Sequence, residues 1–248
     1  MDRLFSFNGN SSEISQDFFP PIQLDSNCTY ALGLYSLNTY NSIPNVVKDV
    51  NDTFCYKDDS KKDNVNSKKD NADLKYITIP EGAYELEEIE AFILNKLKTK
   101  HGNNVEFSLK PNLNTLKVEL YCSFTVLSDF PQTIMQMLGF NKSDIPKNTL
   151  KSSDFPVQIT TINEFNVECN IVEGSFRNGR PCHTIFAFYP DVPNGYKLSL
   201  LPTNVIYLPI NTRTISNITL RLTDQQGKLL NFRGEEISIQ LNLKKIWG

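Results

Sequence analysis

The residues whose types could do chemistry are few, and their spacing argues against most of it. Of the two histidines, His101 and His183, the second directly follows Cys182, the order a nucleophile-and-base pair would need if the two side chains met. Neighbours on an extended segment point to opposite faces, so Cys182 and His183 are not expected to form a Cys–His dyad. The adjacent acids Glu235 and Glu236 diverge for the same reason at the start of a strand. His101 falls at the C-terminal end of an expected helix, a favourable and ordinarily exposed place for a cation. Five cysteines (Cys28, Cys55, Cys122, Cys169 and Cys182) form no CxxC pair, so zinc-ligand spacing is missing. No phosphate-binding Gly-rich loop, G-x-S-x-G elbow or H-E-x-x-H helix occurs. The expectation is a protein that is not an enzyme, with no catalytic residue, no metal and no cofactor.

Binding chemistry is thin as well. A net charge of −3 provides no general attraction to polyanions. Arg177, Arg180, Arg213, Arg221 and Arg233 are scattered among acids, so no specific nucleic-acid partner is expected. An odd number of cysteines without paired spacing suits a reducing compartment and buried thiols. The first residues lack an apolar signal core, and no run approaches the ~20 apolar residues of a membrane span. The expectation is a soluble chain made in the cytosol. Sixteen Phe and ten Tyr against three Met favour β-rich cores and aromatic contact surfaces.

The elements that must hold these groups are mostly strands. At the C-terminal end Ile218, Leu220 and Leu222 alternate with polar residues, and so do Ile237, Ile239, Leu241 and Leu243. Asp224–Gly227 between them has turn composition, which predicts a closing pair of antiparallel strands. Cys28–Tyr40 predicts a central strand apolar on both faces. Shorter strands are predicted at 53–56, 76–79, 105–109, 115–121, 157–162, 166–172, 184–189, 197–201 and 205–209. Glu85–Lys100 predicts one longer helix, with Leu86, Ile89, Ile93 and Leu97 as its buried stripe, acids in its first turn and lysines in its last. Pro131–Leu138 predicts a short second helix. Asn178-Gly179 predicts a tight hairpin that displays Arg177 and Arg180. Residues 1–27 read as an N-terminal arm, because Pro20-Pro21 interrupts pairing and the Phe residues stand isolated among Ser, Asn and Gly. Residues 28–248 read as a single domain. The Lys- and Asp-rich tract at about 57–75, with KKDN at 61–64 and 68–71, reads as a solvated loop insertion. Many short strands without βαβ alternation make a mainly all-β sandwich of two antiparallel sheets the first choice.

Several stretches in one consistent order resemble the minor capsid, or penton, protein of Polinton/Maverick elements and adintoviruses. They are LGLYSLNTYNSIPNV (Leu32–Val46), IPEGAYELEEIEAFI (Ile79–Ile93), MLGF (Met137–Phe140) and FNVECNIVEGSF (Phe165–Phe176). The order continues with CHTIFAFYPDVPNGYKL (Cys182–Leu198), NVIYLPIN (Asn204–Asn211) and ITLRLTDQQGKLLNFRGEEISIQLNLK (Ile218–Lys244). The resemblance implies a single jelly-roll β-sandwich, five copies of which form the vertex of an icosahedral capsid beside a double-jelly-roll major capsid protein. It implies residence in the virion after synthesis in the host cytosol, and it has no counterpart for the tract at 57–75.

A closed ring uses a heterologous interface, one flank of each subunit meeting the opposite flank of the next. Exposed aromatic and arginine side chains are the usual anchors of such interfaces. Phe5, Phe18, Phe19, Arg177 and Arg180 are therefore the candidate subunit-interface residues. The alternative is a lectin-like or receptor-binding β-sandwich module, since one fold serves many functions. That reading asks for an aromatic sugar platform, and Trp247, at the extreme C-terminus, is the one tryptophan.

Overall fold

In the computed structural model, residues 2–58, 74–159 and 162–246 are described. The chain divides into two compact units: Met1–Ile43 with Ile162–Gly248, and Pro44–Thr161. The expected single domain over 28–248 is thus corrected to a sandwich whose chain is interrupted by a second unit with a core of its own.

Eight strands, counted among the described residues, build the sandwich: β1 (Arg3–Gly9), β2 (Glu13–Gln23), β3 (Thr29–Tyr40), β4 (Phe165–Cys169), β5 (Thr184–Phe188), β6 (Lys197–Leu200), β7 (Thr214–Thr223) and β8 (Ile237–Ile246). One sheet runs β1-β8-β3-β6, with the short strand Leu208–Pro209 also on β3, and the other runs β5-β4-β7-β2. Every pairing is antiparallel. Successive strands change sheets except from β4 to β5, which is the jelly-roll path. The inserted unit occupies the connection between β3 and β4.

Period-two patterning explains the assembly. Ile237, Ile239, Leu241 and Leu243 all turn inward from β8, meeting Ile218, Leu220 and Leu222 of β7 and Phe165 and Val167 of β4 in one apolar cluster. Two sheets packed through such inner faces lie ~10 Å apart. β3 is central between β8 and β6, as its two apolar faces predict. A register shift at Tyr35 lets Leu37 continue the inward row after Leu34. Gly33 is required by close approach: an added Cβ would lie 2.4 Å from Val205 Cγ1 and 2.9 Å from the Ile206 carbonyl oxygen.

Two expectations are corrected here. Residues 1–27 are not an arm: β1 and β2 are full members of the two sheets. Of the Phe residues that look isolated, all but Phe19 are inward positions of alternating strands, with Phe5 and Phe7 in the core and Ile14, Phe18 and Ile22 packed against it. Pro20 and Pro21 are tolerated because β2 is an edge strand and they fall where its pairing with β7 is interrupted, between Asp17↔Asn217 and Ile22↔Ile215, so no ladder bond needs their missing N–H groups. The expected closing pair is not a hydrogen-bonded pair either. The turn forms, with Gly227 N–H donating to the Asp224 carbonyl and Leu230 N–H to the Leu222 carbonyl. The chain then crosses, so β7 and β8 face each other from opposite sheets.

In the inserted unit, α1 (Leu86–His101) buries Leu86, Ile89, Ile93 and Leu97, the stripe read from sequence. Glu85 N–H donates to Glu88 Oε2 at its start, and Gly102 (φ 89°) closes it with an N–H bond to the Lys98 carbonyl. One three-stranded sheet joins Leu74–Thr78, Thr53–Lys57 and Thr125–Leu127; another joins Phe107–Asn112, Lys117–Cys122 and Lys151–Ser152. The predicted second helix contracts to a 3-10 turn at Ile134–Gln136. Gly139, at φ 83°, ends that segment against the Phe155 carbonyl, where a Cβ has no room. The predicted strand at 157–162 does not form over 157–159, and 160–161 lie outside the described residues. Of the charged tract, 59–73 lie outside them too.

Candidate assembly surface

The second sheet ends in two unlike edges. β2 forms one, pairing with β7 through Asp17↔Asn217, Ser15↔Thr219 and Ile14↔Leu220, with a bulge between Ile215 and Asn217. Phe18 turns in and meets Phe5 edge-on at 5.6 Å. Phe19 turns out and is 98% exposed. Asp17 Oδ1 accepts from Asn217 Nδ2 at 2.8 Å but meets no cation among the described residues.

β5 forms the opposite edge. Beside it the hairpin Ser175–Arg177/Arg180–Cys182 turns through Asn178 (φ 49°) and Gly179 (φ 76°), the left-handed pair a two-residue turn demands. Phe176 stands out from this hairpin at 70% exposure, and Ile206 nearby at 57%. With Phe186 and Leu208 they line an open groove of about 400 Å³, which also takes in Cys182 and Thr184.

The predicted interface residues therefore divide. Phe5 is corrected: it is a core residue, buried because β1 directs it inward. Phe18 is half-buried against it. Phe19 and Arg180 are exposed on opposite edges. Arg177 is partly spent within the chain, donating to Thr184 Oγ1 at 3.0 Å and lying 3.6 Å from Glu168 Oε1. Glu168 also meets Arg221 at 3.4 Å, which meets Glu13 at 3.2 Å, so alternating charges link the hairpin, β4, β7 and β2. Phe176 and Ile206 escaped the sequence reading: Phe176, between Ser175 and Arg177 in a short strand, has the same pattern whether it faces a core or solvent, and Ile206, within the apolar run Val205–Leu208, reads as a buried strand position.

Cys182 and His183 diverge as expected. Cys182 Sγ donates to Ser175 Oγ at 3.3 Å, whereas His183 Nδ1 meets the Val172 carbonyl at 2.6 Å. That carbonyl only accepts, so His183 carries its proton on Nδ1.

His101 is not the exposed cation the helix end suggests. Its side chain is only 12% exposed and lies against Phe124 and Tyr56. Tyr56 Oη lies 2.9 Å from Nε2, and Asp58 Oδ2 lies 3.5 Å from Nδ1 and 2.6 Å from Lys75 Nζ. Burial pushes the Tyr56 phenol up to about 12, so it stays protonated and donates to Nε2. Burial lowers the His101 pKa despite the pull of Asp58, and Lys75 and Lys100 add to the lowering. The folded protein thus favours neutral His101, while the unfolded chain takes up a proton as pH falls through its usual 6.5. The expected result is stability lost from about pH 6.5 downward until the folded value is passed. Thermal unfolding of the wild type and His101→Gln between pH 7.5 and 5 measures it, and the loss attributable to this site is absent in the variant. The cluster ties the ends of Thr53–Lys57 and Leu74–Thr78 to the end of α1.

Among the described residues no group of three or more His, Cys, Asp or Glu side chains could hold a metal, and no helix is long and apolar enough to cross a membrane. Trp247 lies outside the described residues.

No protein-family model matches this sequence, and no curated protein matches it. Among solved structures, the chain is similar to the mavirus penton protein, solved in selenomethionine-labelled form. The TM-score is 0.50 and the identity 11%, with 99% of this chain and 100% of that chain covered. At that identity the likeness shows a shared fold, and it corroborates the jelly-roll path traced above.

Proposed function

We propose that this chain is a structural virion protein, the penton or minor capsid subunit at the vertex of an icosahedral capsid. Five copies close a ring and dock with a double-jelly-roll major capsid protein. The observation that carries the reading is the end-to-end likeness to the mavirus penton protein, which spans nearly all of both chains. The unlike edges of the second sheet support it, since a ring needs two different surfaces that fit each other. The chain works by assembly rather than catalysis, without metal or cofactor, membrane span or specific nucleic acid. It resides in the capsid after synthesis in the host cytosol, where its five free cysteines remain thiols.

Light scattering on the purified chain, alone and with the candidate major capsid protein, tests this reading. A pentamer, or one that forms only with that partner, is the expected result. A strict monomer that ignores the capsid protein and binds glycans would overturn it in favour of a lectin-like module.

A further inference from the structure

The two edges of the β5-β4-β7-β2 sheet carry features that fit one another but cannot meet within one chain. At the β2 edge stands Phe19, an aromatic ring with no neighbour to cover it. At the β5 edge lies the apolar groove of Phe176, Phe186, Ile206 and Leu208. Charge follows the same division. Among the described residues neither Asp17, two residues before Phe19, nor Arg180, at the hairpin bordering the groove, has an ion-pair partner. Side chains are the natural means of contact around Phe19, because Pro20 and Pro21 beside it supply no N–H groups for strand addition.

We infer that the occupant of the groove is Phe19 of a second copy of this chain, with Asp17 of that copy meeting Arg180. The knob and the groove are different patches, so the contact is heterologous and leaves each copy with a free knob and a free groove. Successive copies add head to tail until the rotation closes. A deeply covered aromatic anchor at the centre of a contact is the kind of residue whose truncation dominates affinity. The inference rests on the proposed vertex role and names the surfaces that would form its ring.

Phe19→Ser, at a position already open to solvent, should leave thermal unfolding unchanged and weaken self-association about thirtyfold, the loss typical of a central anchor. Ile206→Arg should do the same from the groove side. Asp17→Arg should weaken the ring, and Arg180→Asp added to it should restore it. Cys182 lies in the groove, so Phe19→Cys treated with a short bis-maleimide should give a ladder of covalent oligomers that Cys182→Ser abolishes. Rings that persist in Phe19→Ser and Ile206→Arg, with no ladder from Phe19→Cys, would overturn this contact while leaving the vertex role standing. A wild-type chain that stays monomeric with and without the capsid partner would overturn both.

Discussion

Ile239→Asp removes the folded protein from the soluble fraction. Ile239 lies in β8, paired with Phe7 of β1 on one side and Leu37 of β3 on the other, and no part of it reaches solvent. The substitution forfeits ~1.5–3 kcal/mol of apolar burial. It also places a carboxylate in the apolar cluster to which Ile218, Leu220 and Val167 belong. An uncompensated buried charge costs several kcal/mol after relaxation. Together these reach the lower part of the ~5–15 kcal/mol that separates folded from unfolded states in a typical domain, enough to consume most of a marginal stability. The check is expression followed by separation of soluble and insoluble fractions, with Ser238→Asp on the opposite face as control. Ser238 is half-exposed on the outer face, so its variant should remain soluble. A soluble Ile239→Asp protein with an unchanged unfolding profile would show that β8 does not face the core.

Phe54→Ala is the second large effect, and it tests the division into two units. Phe54 is fully buried in the central strand of its small sheet, edge-on to Phe107 at 5.4 Å and stacked beside Tyr56. Truncating such a ring removes its apolar contacts and leaves a cavity, at a cost of ~3–5 kcal/mol. The core that loses it shares no residue with the sandwich core. Calorimetry should therefore show a transition of the inserted unit at markedly lower temperature, with the sandwich transition nearly unmoved. A single transition that shifts as a whole would mean that the two units unfold as one.

Both effects bear on assembly. Phe5→Ala would lower oligomerisation by damaging the core, since Phe5 packs inside its own subunit, so it cannot report on an interface. Phe19→Ser can, because nothing in the subunit depends on that ring. The same distinction separates Arg180, exposed beside a turn, from Arg177, whose removal would also loosen Glu168 and Thr184.

How much was legible in the sequence follows from the range of the forces involved. Alternation in β3, β7 and β8, the buried stripe of α1 with its Gly102 stop, and the Asn178-Gly179 turn all depend on residues a few positions apart. Each could be read directly, because backbone geometry sets periods of 2 and 3.6 whatever the rest of the chain does. The tertiary structure alone decided what lies far apart in sequence. It put β7 and β8 in opposite sheets, took β1 and β2 from a supposed arm into the two sheets, and gave residues 44–161 a core of their own. It drew His101, Tyr56 and Asp58 into one buried cluster, where burial reverses the protonation that the helix end would favour. It also set Phe19 and the Phe176–Ile206 groove on opposite edges of one sheet. Alternation shows that a strand has an inside and an outside, but which side another chain can reach depends on what the fold leaves uncovered.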